Sequence, residues 1–145
     1  MAIVQRNVQI KASPEKTMEL LNDAHRWPDW YPGMTEINIT GPFPEEGSKV
    51  AFKVKSAGMS MPTTETVLDY QPGELQLLQM EGMLSGRARW ELTPEGNGTR
   101  LTTTFDYAVR GGVVGKLADA VMIKRMNGKS LEEALSNFKA LVEGQ

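Results

Sequence analysis

The sequence of 145 residues has no cysteine and only one histidine, and no stretch of it approaches about 18 consecutive apolar residues. The missing cysteines exclude disulfides, thiolate metal ligands and cysteine nucleophiles. The missing apolar run argues against a membrane-spanning helix, and the N-terminal residues lack the basic flank and apolar stretch of a secretory signal. We therefore expect a cytoplasmic protein without an integral membrane segment.

The sequence also has little excess charge. Sixteen Lys and Arg residues stand against 18 Asp and Glu residues, a net charge of −2, which provides no basic footprint for a nucleic acid. The single histidine, His25, would have to serve in any histidine relay, but at the start of a loop a surface role is the simpler interpretation. Since Asp23 and Asp29 are not spaced like a metal-binding loop, we expect neither a metal site nor a cofactor.

The main feature that is present is strand-like alternation. Apolar and polar residues alternate over residues 4–11, which is typical of a half-buried strand. Ser13 followed by Pro14 indicates a helix start, and the segment 27–33 (WPDWYPG) allows one helical turn and then a loop. Six further strand-like runs, separated by turn residues, predict an antiparallel meander. These runs are 36–40, 50–55, 63–70, 75–81, 87–93 and 99–109.

The last part of the sequence has a helical period. Beyond residues 111–112 an apolar stripe predicts a helix of about 30 residues, and we expect a bend at Asn127-Gly128 because glycine is unfavourable inside a helix. Only this helix is large enough to cover the apolar face of a curved sheet. One helix does not fill the space on the concave side of such a sheet. We therefore predict a single α+β domain over residues 1–145 with an internal cavity. The stripe consists of Leu117, Val121, Leu131, Leu135, Phe138 and Val142.

Three segments carry a resemblance to a known family. These are the Ser13-Pro14-Glu15 helix start after the first strand, the segment 27–33, and the strand 98–102 (GTRLT). Together they resemble the START-like superfamily, whose helix-grip fold is shared with the major birch pollen allergen, and most of all its polyketide cyclase/dehydrase and lipid transport branch. The resemblance implies a seven-stranded antiparallel sheet wrapped around the C-terminal helix, two short helices between strands 1 and 2, and a hydrophobic molecule in the interior.

Several apolar residues are candidates for the wall of this cavity, although each can equally serve as ordinary core. The methionines are numerous and suit an adaptable pocket, while Trp27, Trp30 and Tyr31 either form the rim of the pocket or fix the short helices to the sheet. The candidate lining residues are Phe52, Val54, Met59, Met61, Val67, Leu78, Met80, Trp90, Phe105, Leu117 and Val121.

A smaller set of polar residues could face the cavity. Arg6 falls among apolar residues of the first strand and either pairs with a carboxylate (Glu65, Glu81 or Asp106) or reaches water at the end of the sheet. Lys124 lies on the apolar stripe of the helix and either meets a ligand or is turned outward by the bend. The polar candidates are Arg6, Glu65, Glu81, Tyr107 and Lys124.

These features favour a module that binds or carries a hydrophobic small molecule such as a lipid, an isoprenoid or a polyketide-like compound. An alternative is a polyketide cyclase or dehydratase that uses an acid or base facing the cavity. A third is an adaptor that contacts a protein partner through a sheet edge or the aromatic loop. The sequence leaves the choice between a monomer and a homodimer open.

Overall fold

The computed structural model describes residues 2–56, 58–109 and 117–144. The strands and helices follow one another in the predicted order, with a single 3-10 turn at Ala24–Arg26. The strands are β1 (Ala2–Ile10), β2 (Met34–Thr40), β3 (Lys49–Ser56), β4 (Met59–Gln71), β5 (Leu75–Gly82), β6 (Leu84–Glu95) and β7 (Gly98–Val109). The helices are α1 (Pro14–Asn22), α2 (Trp27–Trp30) and α3 (Leu117–Glu143).

All seven strands form one antiparallel sheet, which confirms the predicted architecture. Their order is β1-β7-β6-β5-β4-β3-β2. The strands from β2 to β7 therefore form a meander, whereas β1 pairs with β7 at the far edge, with Val4 opposite Phe105. The two strands that flank the short helices, β1 and β2, thus occupy opposite edges of the sheet.

The short helices are fixed by local hydrogen bonds, of which the sequence pattern predicts the cap at Ser13. Ser13 caps α1, and its hydroxyl accepts a hydrogen bond of 3.1 Å from the backbone N–H of Lys16. The indole N–H of Trp27 donates to the backbone oxygen of Leu21 at 2.9 Å. This bond holds the aromatic segment against the end of α1, which is the structural role considered for Trp27; its ring also lies beside the interior space between the sheet and the helices.

The C-terminal helix α3 is 27 residues long and continues through Gly128. Its second half carries the apolar stripe into the core, where Leu131, Leu135, Phe138 and Val142 are buried. Val121, on the same predicted stripe, is instead 49% exposed, because no other element covers that side of the first half of the helix among the described residues.

Arg6 of β1 reaches toward α3, and its partner is none of the three carboxylates considered above. Its Nε lies 3.3 Å from Oε2 of Glu132, and both side chains are partly exposed. A Cβ atom at Gly128 would come within 2.7 Å of the guanidinium of Arg6. Glycine at this position therefore lets the arginine cross the helix and reach water, which explains a charged residue among the apolar residues of β1.

A candidate ligand cavity between the sheet and the helices

A cavity of about 90 Å³ lies between the sheet, the short helices and α3. This volume is several times what one water molecule needs. Most of its wall is apolar. The aliphatic and thioether side chains are Leu21, Met34, Val54, Met61, Met80, Met83 and Leu84. The aromatic side chains are Trp27, Trp30, Tyr31, Phe52, Trp90, Phe105 and Tyr107.

The aromatic rings form a connected network behind the cavity. The ring of Trp30 lies edge-to-face with Trp90 at a centroid distance of 5.6 Å and with Phe138 of α3 at 5.0 Å. Trp90 in turn contacts Phe105 at 6.1 Å. Edge-to-face pairs add to the stabilisation from buried area. The network connects α2, β6, β7 and α3, so this part of the wall is preformed.

A tight backbone contact at Gly33 positions the neighbouring wall residues. Gly33 has a φ of 76°, and a Cβ atom there would collide with the backbone oxygen of Lys55. The N–H of Lys55 also donates to the oxygen of Gly33 at 2.8 Å. Glycine is required for both the conformation and the close approach, and the resulting turn carries Tyr31 and Met34 into the wall.

The acid in the wall is Glu65, in the middle of β4. It pairs with Val50 of β3 and Met80 of β5, and its residue is only 9% exposed. Within the part of the chain that the structure describes, no side chain or backbone group forms a hydrogen bond or ion pair with its carboxyl. Burial raises the pKa of Glu65 to about 8, so the group is largely protonated at neutral pH.

Two tyrosines add hydroxyl groups to the wall. Burial, together with the nearby charge of Glu65, raises the pKa of Tyr31, which means that its hydroxyl stays protonated. The hydroxyl of Tyr107 accepts a hydrogen bond of 2.8 Å from the side-chain amide of Asn127. Burial also raises the pKa of Tyr107. The remaining polar wall residue is Thr63, two positions before Glu65 on the same strand.

The structure brings eight of the predicted site residues into the cavity wall. They come from strands β3 to β7, where alternate side chains point to the same face of the sheet. Six are apolar or aromatic and two are polar. They are Phe52, Val54, Met61, Met80, Trp90, Phe105, Glu65 and Tyr107.

The other predicted site residues lie outside the wall. Val67 and Leu78 face each other on β4 and β5 and are buried in the core beyond the cavity. Met59 is 52% exposed at the start of β4. Leu117 begins α3, and its side chain lies outside the described residues.

Three further candidates, all on α3 or β5, are exposed. Glu81 follows the wall residue Met80 and therefore points to the opposite face of the sheet, into solvent. Lys124 is on the solvent side of α3. Val121 lies with Met122 in a shallow surface depression rather than in the cavity.

Sequence reasoning missed several wall residues. Thr63 could have been found, because it is two positions before Glu65 and shares its face of the strand. Asn127 was noted only as part of a helix interruption, and Met83 lies in the β5–β6 turn. Leu21, Met34 and Leu84 carry no pattern that separates a pocket wall from a core.

The structure provides no metal-binding cluster in the ranges that it describes. Histidine, aspartate and glutamate side chains do not gather there in groups of three or more. His25 is exposed in the 3-10 turn. Among the described helices, none combines the length and the hydropathy that crossing a membrane requires.

A seven-stranded antiparallel sheet, a long C-terminal helix and an apolar cavity between them define a START-like helix-grip protein. The model of the family described as "polyketide cyclase / dehydrase and lipid transport" matches residues 1–143. The chain belongs to this family, as the resemblance in the sequence predicted. No curated protein matches the sequence.

Solved structures share the fold over nearly the whole chain. TTHA0849 from Thermus thermophilus is 17% identical with a TM-score of 0.82, and the match covers 99% of this chain and 98% of that one. The Zhui aromatase/cyclase from Streptomyces sp. R1128 is 20% identical with a TM-score of 0.78, over 98% and 93%. A START superfamily protein from Mycobacterium smegmatis is 22% identical with a TM-score of 0.78, over 98% and 97%.

Proposed function

We propose that this protein binds a hydrophobic small molecule in the cavity between the sheet and α3. The observation that carries the proposal is a mostly apolar wall with seven aromatic residues around one carboxyl group that has no protein partner among the described residues. Burial of apolar ligand surface supplies the driving force, on the order of 25 cal/mol per Å² before the costs of association. Membership in a family that includes lipid transport supports the same function.

Glu65 is the group that we expect to orient the ligand. Pockets for small molecules typically combine an apolar wall with a few placed polar groups. The carboxyl of Glu65 and the hydroxyl of Tyr31 belong to the same wall, and the charge of one affects the pKa of the other. A polar atom of the ligand that lies between these two groups would be fixed in position while its apolar part contacts the aromatic rings.

Binding can be followed without a label, because all three tryptophans of the sequence line the cavity. We expect naphthalene, a flat neutral hydrocarbon, to change the tryptophan emission and to bind with a measurable heat in calorimetry. Native mass spectrometry of the protein recovered from its own cells should show an added apolar mass. A protein that carries no such mass and takes up no neutral aromatic compound would contradict the proposal.

A pair of variants on β4 separates binding in the cavity from binding at the surface. Met61→Trp enlarges a side chain in the wall, whereas Met59→Trp makes the same change at an exposed position two residues away. We expect Met61→Trp to weaken naphthalene binding at least about tenfold by filling the cavity, and Met59→Trp to leave the affinity unchanged. Equal effects of the two variants would place the binding elsewhere.

A second candidate function is catalysis of the cyclase or dehydratase type, with Glu65 as the proton donor. It is favoured by a pKa of about 8, close to neutral pH, on a carboxyl inside the cavity, because acid–base catalysts work best when their pKa is near the working pH. The test is conversion of a linear poly-β-ketone to a cyclised or dehydrated product, followed by mass spectrometry. Glu65→Gln should abolish the conversion while naphthalene still binds.

We propose a cytoplasmic location because the sequence has no cysteine, and either a monomer or a homodimer. Cell fractionation and sedimentation of the purified protein test the two proposals separately.

A further inference from the structure

The described part of the cavity wall contains one acidic residue and no basic residue. Glu65 is the only Asp, Glu, Lys, Arg or His residue in the described part of the wall. A buried carboxyl in a protein is ordinarily paired with a cation or held by hydrogen-bond donors, because burial of an unpaired charge is costly. Here the described residues provide neither. Among the described residues, this acid therefore has no cation to pair with when it is ionised.

The charged side chains on the strands and helices around Glu65 point away from it. Val50, opposite Glu65 on β3, shares its face, so Lys49 and Lys53 point to the other side of the sheet, where Lys53 pairs with Glu36 at 3.3 Å. On β5, Glu81 is exposed. On α2, Asp29 pairs at 3.3 Å with Arg26 near the surface.

The α3 helix likewise contributes no charge to the described part of this wall. Its wall residue is the neutral Asn127, and the neighbouring Lys124, Arg125 and Lys129 are exposed. The charge of Glu65 contributes to the raised pKa of the Tyr31 hydroxyl, which is itself uncharged at neutral pH.

Aromatic rings surround the same space. Trp30, Tyr31, Trp90 and Phe105 line the cavity together with Glu65. The face of an aromatic ring attracts a cation, and the attraction is stronger where water is excluded. A carboxyl without a counter-charge and several aromatic rings in one small cavity are the two elements that recognise an organic ammonium group.

We propose that the ligand of this cavity is a hydrophobic organic cation, an amine or quaternary ammonium compound whose charged nitrogen lies between Glu65 and the rings of Trp30 and Trp90. The inference rests on the proposed function and names the chemical class of the ligand. A neutral ligand would require only a hydrogen-bond donor, which a threonine or glutamine provides without the cost of burying an acid. A cation instead interacts favourably with both the ionised carboxyl and the rings.

The direction in which the affinity changes with pH distinguishes a cationic ligand from a neutral ligand that binds through an oxygen atom. A cation binds the ionised form of Glu65, so its affinity increases with pH by up to about tenfold per unit until the pH passes the pKa of the free protein, which burial raises to about 8. A ketone accepts a hydrogen bond from the protonated form, so its affinity decreases above that pH. A hydrocarbon shows neither trend.

The experiment uses two probes of the same shape, benzyltrimethylammonium and neopentylbenzene, which differ by a nitrogen cation in place of a carbon atom. The charge of the first probe is permanent, so any pH dependence arises in the protein. Titrations followed by tryptophan emission at pH 6.5 and pH 8.5 should give an affinity for the cation that is at least about tenfold higher at the higher pH. The affinity for neopentylbenzene should not change.

Two variants assign the effect to Glu65. Glu65→Gln should weaken binding of benzyltrimethylammonium at pH 8.5 by at least about tenfold and remove its pH dependence, while neopentylbenzene still binds and thereby shows that the variant is folded. Glu81→Gln removes one negative charge from the exposed face of the neighbouring strand and should change neither affinity. This control excludes a general effect of net charge.

Three outcomes would overturn the inference. If neopentylbenzene binds and the cation binds no better at either pH, the cavity takes neutral hydrophobic ligands, and the proposed function stands without this inference. If the ketone 2,2-dimethylpropiophenone binds more tightly than the cation and loses affinity above pH 8, Glu65 is a donor to a neutral oxygen. If no probe binds at all, the inference fails together with the proposed function.

Discussion

The side-chain amide of Asn127 on α3 donates a hydrogen bond of 2.8 Å to the hydroxyl of Tyr107 on β7, at the wall of the cavity. Tyr107 is 1% exposed. The bond joins the last strand to the C-terminal helix, near the point where the first half of α3 leaves the core. It thus contributes both to the stability of the fold and to the position of one side of the cavity.

We expect Tyr107→Phe to lower the free energy of unfolding by about 1 kcal/mol, because one hydrogen bond is lost and no large cavity is made. Tyr70→Phe is the matched control, since the hydroxyl of Tyr70 accepts a bond of 3.0 Å from Asn22 outside the cavity. Urea denaturation should give similar losses for the two variants. Only Tyr107→Phe should change the affinity for naphthalene, and equal affinities would argue that the bond has no role in the cavity.

Glu65 should make the stability of the protein fall as the pH rises. Its pKa is about 8 in the folded protein against 4.5 for the ordinary carboxyl, so between these values the folded state binds more protons than the unfolded state. The contribution of Glu65 is therefore most favourable below about pH 4.5 and is lost progressively up to about pH 8.

Glu65→Gln removes this dependence. Compared with the wild type, the variant should be more stable by on the order of a few kcal/mol at pH 9 and lose most of that advantage at pH 5. Urea midpoints at the two pH values measure the difference, with Glu81→Gln as the exposed control. A difference of the same size at both pH values would show that the ionisation of Glu65 does not act on stability.

Phe138 connects α3 to the aromatic network and is completely buried. Phe138→Ala should cost about 3–5 kcal/mol, because the edge-to-face contact with Trp30 is lost and a cavity is created, and it should also shift the tryptophan emission. Val121→Ala on the exposed half of the same helix should stay within about 0.5 kcal/mol of the wild type. Thermal unfolding of both variants checks the prediction, which a small effect at Phe138 would contradict.

Gly128→Ala has two opposite effects on the free energy of unfolding: it increases helix propensity, and it crowds the side chain of Arg6. Alanine favours the helix by about 1 kcal/mol over glycine, but its Cβ atom would push the guanidinium of Arg6 aside. We expect the stabilisation by Gly128→Ala to be larger in an Arg6→Ala background than in the wild type. A double-mutant cycle from urea unfolding measures the difference, and additive effects would show that the two residues do not interact.

The fold could be predicted from the sequence because its signals are local. The alternation in β1, the Ser13-Pro14 helix start and the glycine- and proline-rich turns each specify one element, and a meander leaves few ways to arrange them. The first alternating run and the six runs after it predict seven strands, and the family resemblance implied the same number. The second half of the stripe on α3 is buried as predicted, whereas Val121 is exposed, since burial depends on which elements pack against the helix.

The cavity wall could be predicted only where the period of a strand reveals its face. Trp90 and Phe105 alternate with polar neighbours and were placed in the right strands. Glu65 and Glu81 both lie in predicted strands, yet they face opposite sides of the sheet, and the neighbouring Met80 indicates this only once the register is known. The pairing of Arg6 with Glu132 spans 126 positions, and no local pattern contains such information.

The position of β1 at the edge next to β7 affects the order in which the chain folds. Gln5 and Thr104, which form a hydrogen bond across these strands, are 99 positions apart. During synthesis the first strand therefore has to remain without its neighbour until nearly the entire sheet has left the ribosome. Closure of so long a loop is slow, so we expect refolding on the scale of milliseconds to seconds, with docking of the N-terminal segment among its last steps.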